Sequence, residues 1–213
     1  MNKDSVIKII DYKAGNAPSV MRAINHIGFK AEFARSADDI KESTHIILPG
    51  VGSAKATMES LREMDLIQPL EDAVFNKKTF FLGICVGLQI LFERSEEDDA
   101  KCLGWLKGNV VKYDSAKVRV PQMGWNKVIF TQSPIYQPFE DYFYFVNSYY
   151  ARTENSSDLL GVSEYNGAFA AAVRRDNIYA TQFHIEKSGK AGLKLLSAFL
   201  NLKGECQVCL QKG

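Results

Sequence analysis

The segment Gly83-Ile84-Cys85-Val86-Gly87 combines a nucleophilic side chain with the backbone freedom needed to expose it. An apolar run precedes Cys85 and helix-forming residues follow it, which is typical of a nucleophile elbow with cysteine in place of serine. The flanking glycines remove side chains that would clash with neighbouring strands. A helix N-terminus also favours the thiolate form of a cysteine. The pattern predicts a reactive thiol, and a buried cysteine between packing glycines is the alternative.

A cysteine nucleophile needs a base, and the chain has three histidines, His26, His45 and His184. His184 directly follows a strand-like run, so we expect it at the carboxyl end of a strand, where α/β sheets gather their active sites. Glu186 is expected to accept the second imidazole N–H and to fix the tautomer. His26 and His45 are expected to be structural. The predicted catalytic residues are therefore Cys85, His184 and Glu186, although a His-x-Glu pair alone is more often a surface pair.

A tetrahedral intermediate at the thiol needs hydrogen-bond donors for its oxyanion. The amide of Val86, directly after the nucleophile, is one candidate. The loop Pro49-Gly50-Val51-Gly52, which follows a strand and precedes a helix capped by Ser53, is the second. Its glycines allow an N–H to turn toward the thiol, but Gly and Pro also form ordinary turns.

The elements that must position these residues alternate between strand and helix in the first half of the chain. This order predicts βαβ units and a parallel sheet. The predicted strands are residues 6–12, 45–48 and 79–84. The predicted helices are residues 17–27 and 53–64, with a further helix after Cys85 that includes Leu88, Ile90, Leu91 and Phe92.

The second half, from residue 106 to residue 172, is rich in Val, Tyr and Phe and predicts antiparallel strands added to the sheet. The candidate strands there are residues 118–120, 128–130 and 142–150. A last strand at 178–183 precedes a helix at 191–202, whose predicted buried residues are Leu193, Leu196, Phe199 and Leu200. The predicted fold class is α/β: a mostly parallel central sheet with helices on both faces and antiparallel strands added in the second half.

Whole-chain properties limit the classes of function. The chain has 213 residues, and 26 Lys and Arg against 25 Asp and Glu leave no net field to hold a polyanion. Charged residues interrupt the first apolar run, so we expect no signal peptide there. The longest apolar stretch is shorter than the roughly 20 residues that span a bilayer. We expect a cytoplasmic protein with neither a nucleic-acid nor a membrane partner.

We expect one domain over residues 1–203 and a disordered tail over residues 204–213. Cys206 and Cys209 in this tail form a Cys-x-x-Cys pair without the second ligand pair that a structural zinc site needs. No metal site is therefore predicted.

The elbow and the later Phe183-His184-x-Glu186 segment resemble class I glutamine amidotransferases, and the resemblance spans nearly the whole chain. More narrowly, the chain resembles the glutaminase subunits of imidazole glycerol phosphate synthase. The segments that carry this narrower resemblance are residues 10–12, 15–16, 48–52, 83–89, 121–126, 144–146 and 182–184.

The resemblance implies that Cys85 forms a glutamyl thioester, that His184 is the acid and base, and that Glu186 orients it. The residues implied to bind glutamine are Gly52, Val86, Gln89 and Ser148. The implied partner is a (β/α)₈-barrel cyclase in a heterodimer, through which ammonia reaches a ribonucleotide intermediate in histidine biosynthesis. No metal or organic cofactor is implied.

The resemblance also implies a partner face, with activity that depends on the partner through the Gly50-Val51-Gly52 loop. The residues that match this face are Asn16, Gln122, Met123, Trp125 and Lys187. An aromatic anchor beside small polar residues suits an interface, although tryptophan is more often a core residue.

Three positions depart from the pattern of the resembled family. Lys13 stands at a usual glycine, Asn147 at a usual histidine, and Ile185 at a usual proline. Alternatives therefore remain open: a paralogous glutaminase that supplies ammonia for amidino groups on surface-sugar precursors, a non-catalytic binding subunit, or a cysteine hydrolase on a similar scaffold.

Overall fold

The computed structural model describes residues 5–12, 16–131 and 138–203. Lys13 and the predicted tail with Cys206 and Cys209 lie outside the described residues. None of the helices in the described ranges is both long and apolar enough to span a bilayer.

Strands dominate the described part of the chain. The strands are β1 Ile7–Ile10, β2 Ala31–Ala34, β3 His45–Gly50, β4 Phe80–Cys85, β5 Arg94–Ser95, β6 Ala100–Lys101, β7 Gly108–Lys112, β8 Gln122–Phe130, β9 Phe139–Asn147, β10 Tyr149–Thr153, β11 Leu159–Glu164, β12 Ala168–Arg175 and β13 Ile178–Thr181. The α-helices are α1 Ala17–His26, α2 Ala37–Ile40, α3 Ala54–Glu63, α4 Ile67–Glu71, α5 Val86–Gln89 and α6 Gly189–Leu200. Short 3₁₀ turns cover Glu97–Asp99, Ser156–Asp158 and Ile185–Lys187, and a π-turn covers Asp72–Asn76.

A nine-stranded sheet in the order β2-β1-β3-β4-β13-β12-β11-β8-β9 forms the centre of the molecule. The first five strands of this order pair in parallel, and β12, β11, β8 and β9 are added antiparallel. The predicted fold class is confirmed.

Helices cover both faces of the parallel part. Because strand order reverses at β1 and crossover connections are right-handed, α1 lies on one face and α3 on the other. Helix α6 contacts α1, and α2 contacts α4. Strand β3 is buried along its whole length, as expected for a strand covered on both faces.

A second sheet of four strands, in the order β10-β7-β5-β6, lies beside the first and was not predicted. The chain leaves the large sheet at the end of β9 and enters the small sheet at the start of β10. Ser148 is the residue between them. The prediction of one strand over residues 142–150 was therefore wrong, because two strands in different sheets cover these residues.

Two other predicted elements differ from the structure. Residues 118–120 form no strand and lie in the loop before β8. The helix after Cys85 ends at Gln89, because the carbonyls of Ile90, Leu91 and Phe92 accept hydrogen bonds from the segment 103–106. Helix α6 buries Leu196, Phe199 and Leu200 as predicted, but it also buries Leu195 and leaves Leu193 half-buried.

Candidate active site

Cys85 lies where β4 ends and α5 begins, with φ of 55° and ψ of −107°. A positive φ is strained for a residue with a side chain and places its sulfur clear of the sheet. The turn is possible because glycines let the elements approach. A Cβ atom on Gly87 would lie 2.2 Å from the carbonyl oxygen of Leu48, and one on Gly50 would lie 2.4 Å from the Gly87 nitrogen. The elbow therefore requires glycine at both contact positions, Gly50 at the end of β3 and Gly87 in α5.

His184 follows β13 after two residues and is held by the backbone of β9. Its N–H donates to the carbonyl of Tyr144 at 2.9 Å. The buried Ser188 hydroxyl donates to the His184 carbonyl at 2.7 Å and accepts from the Tyr144 N–H at 3.0 Å. The edge of the large sheet therefore fixes the loop that carries the histidine.

Glu186 lies behind His184 on the side away from the thiol. Its Oε1 is 2.9 Å from His184 Nδ1, and its side chain is 1% exposed. The same Oε1 accepts from the Asn16 side-chain amide at 2.7 Å. Because Nδ1 is occupied by the carboxylate, Nε2 is the ring nitrogen left for Cys85.

The electrostatic environment distinguishes His184 from the other buried histidine. Burial alone would lower the pKa of His184, but hydrogen bonds to Cys85 and Glu186, with the charges of both, outweigh it and raise this pKa to about 10. Burial lowers the pKa of His45 to about 4. His45 lies at the opposite end of the parallel strands from Cys85, since its strand pairs Gly50 with Cys85 and His45 with Phe80.

A cavity of about 350 Å³ opens above the thiol, at the point where the chain passes between the two sheets. It is lined by Cys85 and His184, and the predicted substrate residues Gly52, Val86, Gln89 and Ser148 lie in its wall with Lys187. The structure therefore brings together the two residues predicted to react and the four predicted to bind.

One acidic residue in this wall, Glu97, was not predicted. Its carboxylate accepts from the Ala54 N–H at 2.9 Å, and burial, assisted by the charge of Asp98, raises its pKa. Sequence reasoning missed it because Glu97 stands in the acidic run 96–99, which is indistinguishable from a solvated loop until the fold brings it to the cavity.

The candidate oxyanion loop begins at the end of β3. Ser53 caps α3, with its hydroxyl accepting from the Ala56 N–H at 3.1 Å, as predicted. The buried Tyr12 hydroxyl donates to the Pro49 carbonyl at 2.8 Å and anchors the start of the loop. Gly52 has φ of 87° with open space around it, so the loop residue nearest α3 depends on glycine for its conformation.

The residues predicted for a partner face divide into three groups. Met123 and Trp125 are 64% and 57% exposed on the outer face of β8, and Lys187 is exposed at the cavity wall. Asn16 is half-buried against Glu186. Gln122 is 3% exposed, because alternate residues of a strand face opposite sides, and it accepts from the Tyr113 hydroxyl at 3.1 Å. The prediction of a surface position for Gln122 is corrected.

Two departures from the resembled pattern lie beside the site. Asn147 lines the cavity and donates through its side-chain amide to the Tyr149 carbonyl at 3.0 Å. Ile185 is buried directly after His184. Neither substitution separates His184 from Glu186.

Comparisons with known proteins match most of the chain. The family described as class-I glutamine amidotransferase matches residues 8–202. An imidazole glycerol phosphate synthase subunit, HisH 1 of Campylobacter jejuni, is 40% identical over 202 residues, which cover 92% of this chain and 100% of that protein. Subunit HisH 2 of Methanococcus maripaludis is 42% identical over 202 residues, which cover 92% of this chain and 98% of that protein. The solved structure of PurLQS from Thermotoga maritima has a TM-score of 0.76 at 17% identity, with 93% of this chain and 98% of that chain covered, and it supports the fold alone.

Proposed function

We infer, from the premise that this chain belongs to the class I glutamine amidotransferase family, that it is the glutaminase subunit of an imidazole glycerol phosphate synthase in histidine biosynthesis. It releases ammonia from glutamine and passes it to a cyclase subunit. The observation that carries the chemistry is the position of His184, which lines the same cavity as Cys85 and has its Nδ1 hydrogen-bonded to Glu186.

In the first half-reaction, the Cys85 thiolate attacks the side-chain carboxamide carbon of glutamine, and a sulfur–carbon bond forms. The negative oxygen of the tetrahedral intermediate is stabilised by the Val86 N–H, which begins α5 and has no partner within that helix, and by an N–H of the loop at Gly52. The His184 imidazolium gives its proton to the leaving nitrogen. The carbon–nitrogen bond breaks, and ammonia and a glutamyl thioester remain.

In the second half-reaction, His184 takes a proton from water, which attacks the thioester carbon. The sulfur–carbon bond breaks, and glutamate leaves. Glu186 keeps Nε2 directed at the reacting atoms through both steps and stabilises the imidazolium.

The cavity wall also supplies contacts for the amino-acid end of glutamine. Glu97 places a carboxylate there, which suits the α-ammonium group. Gln89 and Ser148 add polar side chains of both hydrogen-bonding types. A cavity with acidic and neutral polar groups in its wall favours an α-amino acid amide over a simple amide.

We propose that the partner docks on the outer face of β8 and β9, next to the cavity. Met123 and Trp125 supply apolar anchors, and Lys187 supplies a charge at the cavity wall. Asn16, another residue of the predicted partner face, donates a hydrogen bond to Glu186. Ammonia released at Cys85 then leaves toward the partner and not through the sheet, which is filled by buried side chains.

The test is glutamate release from glutamine by the purified chain, alone and with the cyclase of the same genome and its nucleotide substrate. We expect strong stimulation by cyclase and nucleotide, and none with Cys85→Ala. Stimulation by a sugar amidotransferase in place of the cyclase would reassign the ammonia to amidino groups. Absence of glutamate release with either partner would leave a binding subunit and contradict the proposed reaction.

A further inference from the structure

The side chain of Gln182 lies between the nucleophile and a residue of the cavity wall, and it is fully buried. Its Nε2 is 3.7 Å from Cys85 Sγ. Its Oε1 accepts from Gln89 Nε2 at 3.1 Å. It sits in the loop between β13 and His184, in a segment that supported the family resemblance without having been given a role.

The orientation of this amide follows from a backbone carbonyl, which has only one hydrogen-bonding role. The Tyr149 carbonyl can only accept, and Gln89 faces it at 3.0 Å, so the Gln89 atom there is the NH₂ group. The same NH₂ group faces Gln182, so the Gln182 atom toward it must be the acceptor Oε1. The remaining Gln182 atom, which faces Cys85, is therefore the donor Nε2.

Asn147 strengthens this arrangement from the other side. Its side-chain amide donates to the same Tyr149 carbonyl at 3.0 Å. The Tyr149 carbonyl oxygen thus has a donor for each of its two lone pairs. The two hydrogens of the Gln89 amide are also used, one by Tyr149 and one by Gln182. The group that Gln89 has left to offer the cavity it lines is its carbonyl oxygen.

We propose that Gln182 is a positioning residue with two tasks: its N–H stabilises the Cys85 thiolate, and its carbonyl fixes Gln89 as an acceptor toward the substrate. The inference rests on the proposed glutaminase reaction for its second task only. Charge-assisted hydrogen bonds are about twice as strong as neutral ones, so the Gln182 donor favours the charged sulfur over the neutral thiol.

The other groups around the sulfur are compatible with this task. The Val146 carbonyl oxygen, 3.9 Å from Sγ, can accept a hydrogen bond only from the neutral thiol and so favours the thiol over the thiolate. The titratable groups around Cys85 include His184, with Glu186 behind it, and Tyr12, whose pKa burial raises first and the charge of Cys85 raises further. Glu97 and Lys187 line the same cavity. Gln182 is the neutral donor in this set.

The experiment compares Gln182→Met and Gln182→Glu with the wild-type chain. Methionine has similar length and removes both hydrogen bonds, whereas glutamate keeps an acceptor for Gln89 and replaces the donor to Cys85. The first readout is the rate of Cys85 alkylation by iodoacetamide as a function of pH, resolved by peptide mass spectrometry. Cys102 serves as the internal control, because burial raises its pKa to about 11.

We expect alkylation of Cys85 at pH 7 to slow by about tenfold in Gln182→Met, the loss of one hydrogen bond to a charged group, and further in Gln182→Glu, which adds a like charge. In glutamine turnover, both variants lower kcat. KM rises by about fivefold in Gln182→Met alone, because only that variant releases the Gln89 amide.

Alkylation profiles of both folded variants that coincide with the wild type would overturn the first task, and equal KM values in the two variants would overturn the second. Alkylation needs no glutamine turnover, so failure of the glutaminase proposal leaves the first result readable. If a variant does not fold, ¹⁵N NMR spectra of the wild-type chain provide the test instead of the alkylation rates. Blocking Cys85 with methyl methanethiosulfonate must then shift the Gln182 side-chain amide protons, and an unchanged signal contradicts the proposal.

Discussion

At the scale of single residues, the neighbours of His184 raise its pKa although burial of the ring would lower it. Cys85 and Glu186 both hydrogen-bond to the ring, and their charges outweigh the cost of taking a cation out of water. In the proposed reaction, Cys85 supplies the nucleophile and His184 supplies the proton for the leaving nitrogen.

Removal of Cys85 is therefore expected to change the titration of its neighbour. In Cys85→Ala, burial and Glu186 remain while the thiolate is lost, so the pKa of His184 should fall from about 10. The measurement is a pH titration of the imidazole signals by NMR. His45 provides a reference, because its pKa of about 4 keeps its ring neutral throughout the range. A His184 signal that titrates identically in both proteins would contradict the thiolate contact.

The same pKa predicts how stability depends on pH. The pKa of His184 is raised from 6.5 in the unfolded chain to about 10, so the folded chain binds the extra proton between these values. The resulting stabilisation is fully present below about pH 6.5 and is lost as pH rises through about 10. Urea unfolding at pH 6, 8 and 10 should show this decline in the wild type, and the decline should be smaller in His184→Gln.

Asn16 is the second residue with a measurable role. Its amide supports Glu186, whose second oxygen has no hydrogen-bond partner among the described residues. Asn16→Ala should lower kcat by about tenfold, the loss of one hydrogen bond to a charged group. Asn16→Asp should lower it more, because a like charge then faces the carboxylate. Ser19→Ala, one turn along the same helix, is the matched control, and equal activity of all three variants would contradict the role.

Individual side chains show which parts of the candidate site could be predicted from the sequence. The sequence could predict that Cys85, His184 and Glu186 lie together, because residue type and the carboxyl ends of parallel strands select them. Glu97 and the hydrogen bonds of the Gln182 amide could not be predicted, because they depend on contacts with Ala54 and Gln89, which are distant in the chain. Gln122 was misplaced because strand β8 decides which of its side chains face outward.

At the scale of elements, the close approach of β3, β4 and α5 makes the elbow possible. Gly87→Ala would bring a Cβ atom within 2.2 Å of the Leu48 carbonyl, a contact between two backbone-anchored groups that cannot both relax. We expect a loss of about 3 kcal/mol in the free energy of unfolding, the upper range for overpacking. Urea denaturation measures it, and a loss below about 1 kcal/mol would show that the elements can separate.

Gly52→Ala tests the loop in a different way, because no atom lies near its Cβ position and only the positive φ is unfavourable. Gly167→Ala is the matched control, with φ of 117° and open space in the turn between β11 and β12. Both should lose about 1–2 kcal/mol of stability. Glutamate release should fall only in Gly52→Ala, and an equal fall in both would remove the loop from the oxyanion site.

The sequence predicted these elements unevenly for physical reasons. Parallel strands buried on both faces have a strong local pattern, and β1, β3, β4 and β13 were found within a few residues of their bounds. The helix after Cys85 was overextended because residues 90–92 bond to residues 103–106, which no local pattern reveals. The break at Ser148 lies between two strands of similar composition and depends on the second sheet.

At the scale of the whole molecule, the cavity and the outer face of β8 and β9 are continuous. Lys187 lines the cavity, and two residues further on Gly189 lies against the indole of Trp125. A Cβ atom on Gly189 would be 3.8 Å from the nearest indole carbon. Trp125 in turn packs edge-on against Tyr144, with 6.0 Å between the ring centroids. The backbone of Tyr144 in turn holds the His184 loop. A partner seated on this face would thus touch the strand that positions the base.

Two residues on the same strand allow a matched test of this surface. Trp125 and Ile129 are 57% and 56% exposed, and four residues of strand separate them by about 13 Å. Trp125→Ala should weaken cyclase binding by about 2 kcal/mol, or roughly 30-fold, because it removes an aromatic anchor beside the cavity. Ile129→Ala removes a similarly exposed apolar group farther away and should change affinity less than twofold. Isothermal titration calorimetry with the cyclase measures both.

The outcome separates the docking surface from the reaction. If Trp125→Ala loses affinity and stimulation together while its basal glutamate release is kept, the aromatic anchor belongs to the interface and the active site is intact. If Ile129→Ala is the weaker binder, the partner sits toward the far end of β8, and ammonia released at Cys85 would have to cross open solvent to reach it. Such a geometry would contradict direct transfer, because the cavity opens beside Lys187 and not beside Ile129.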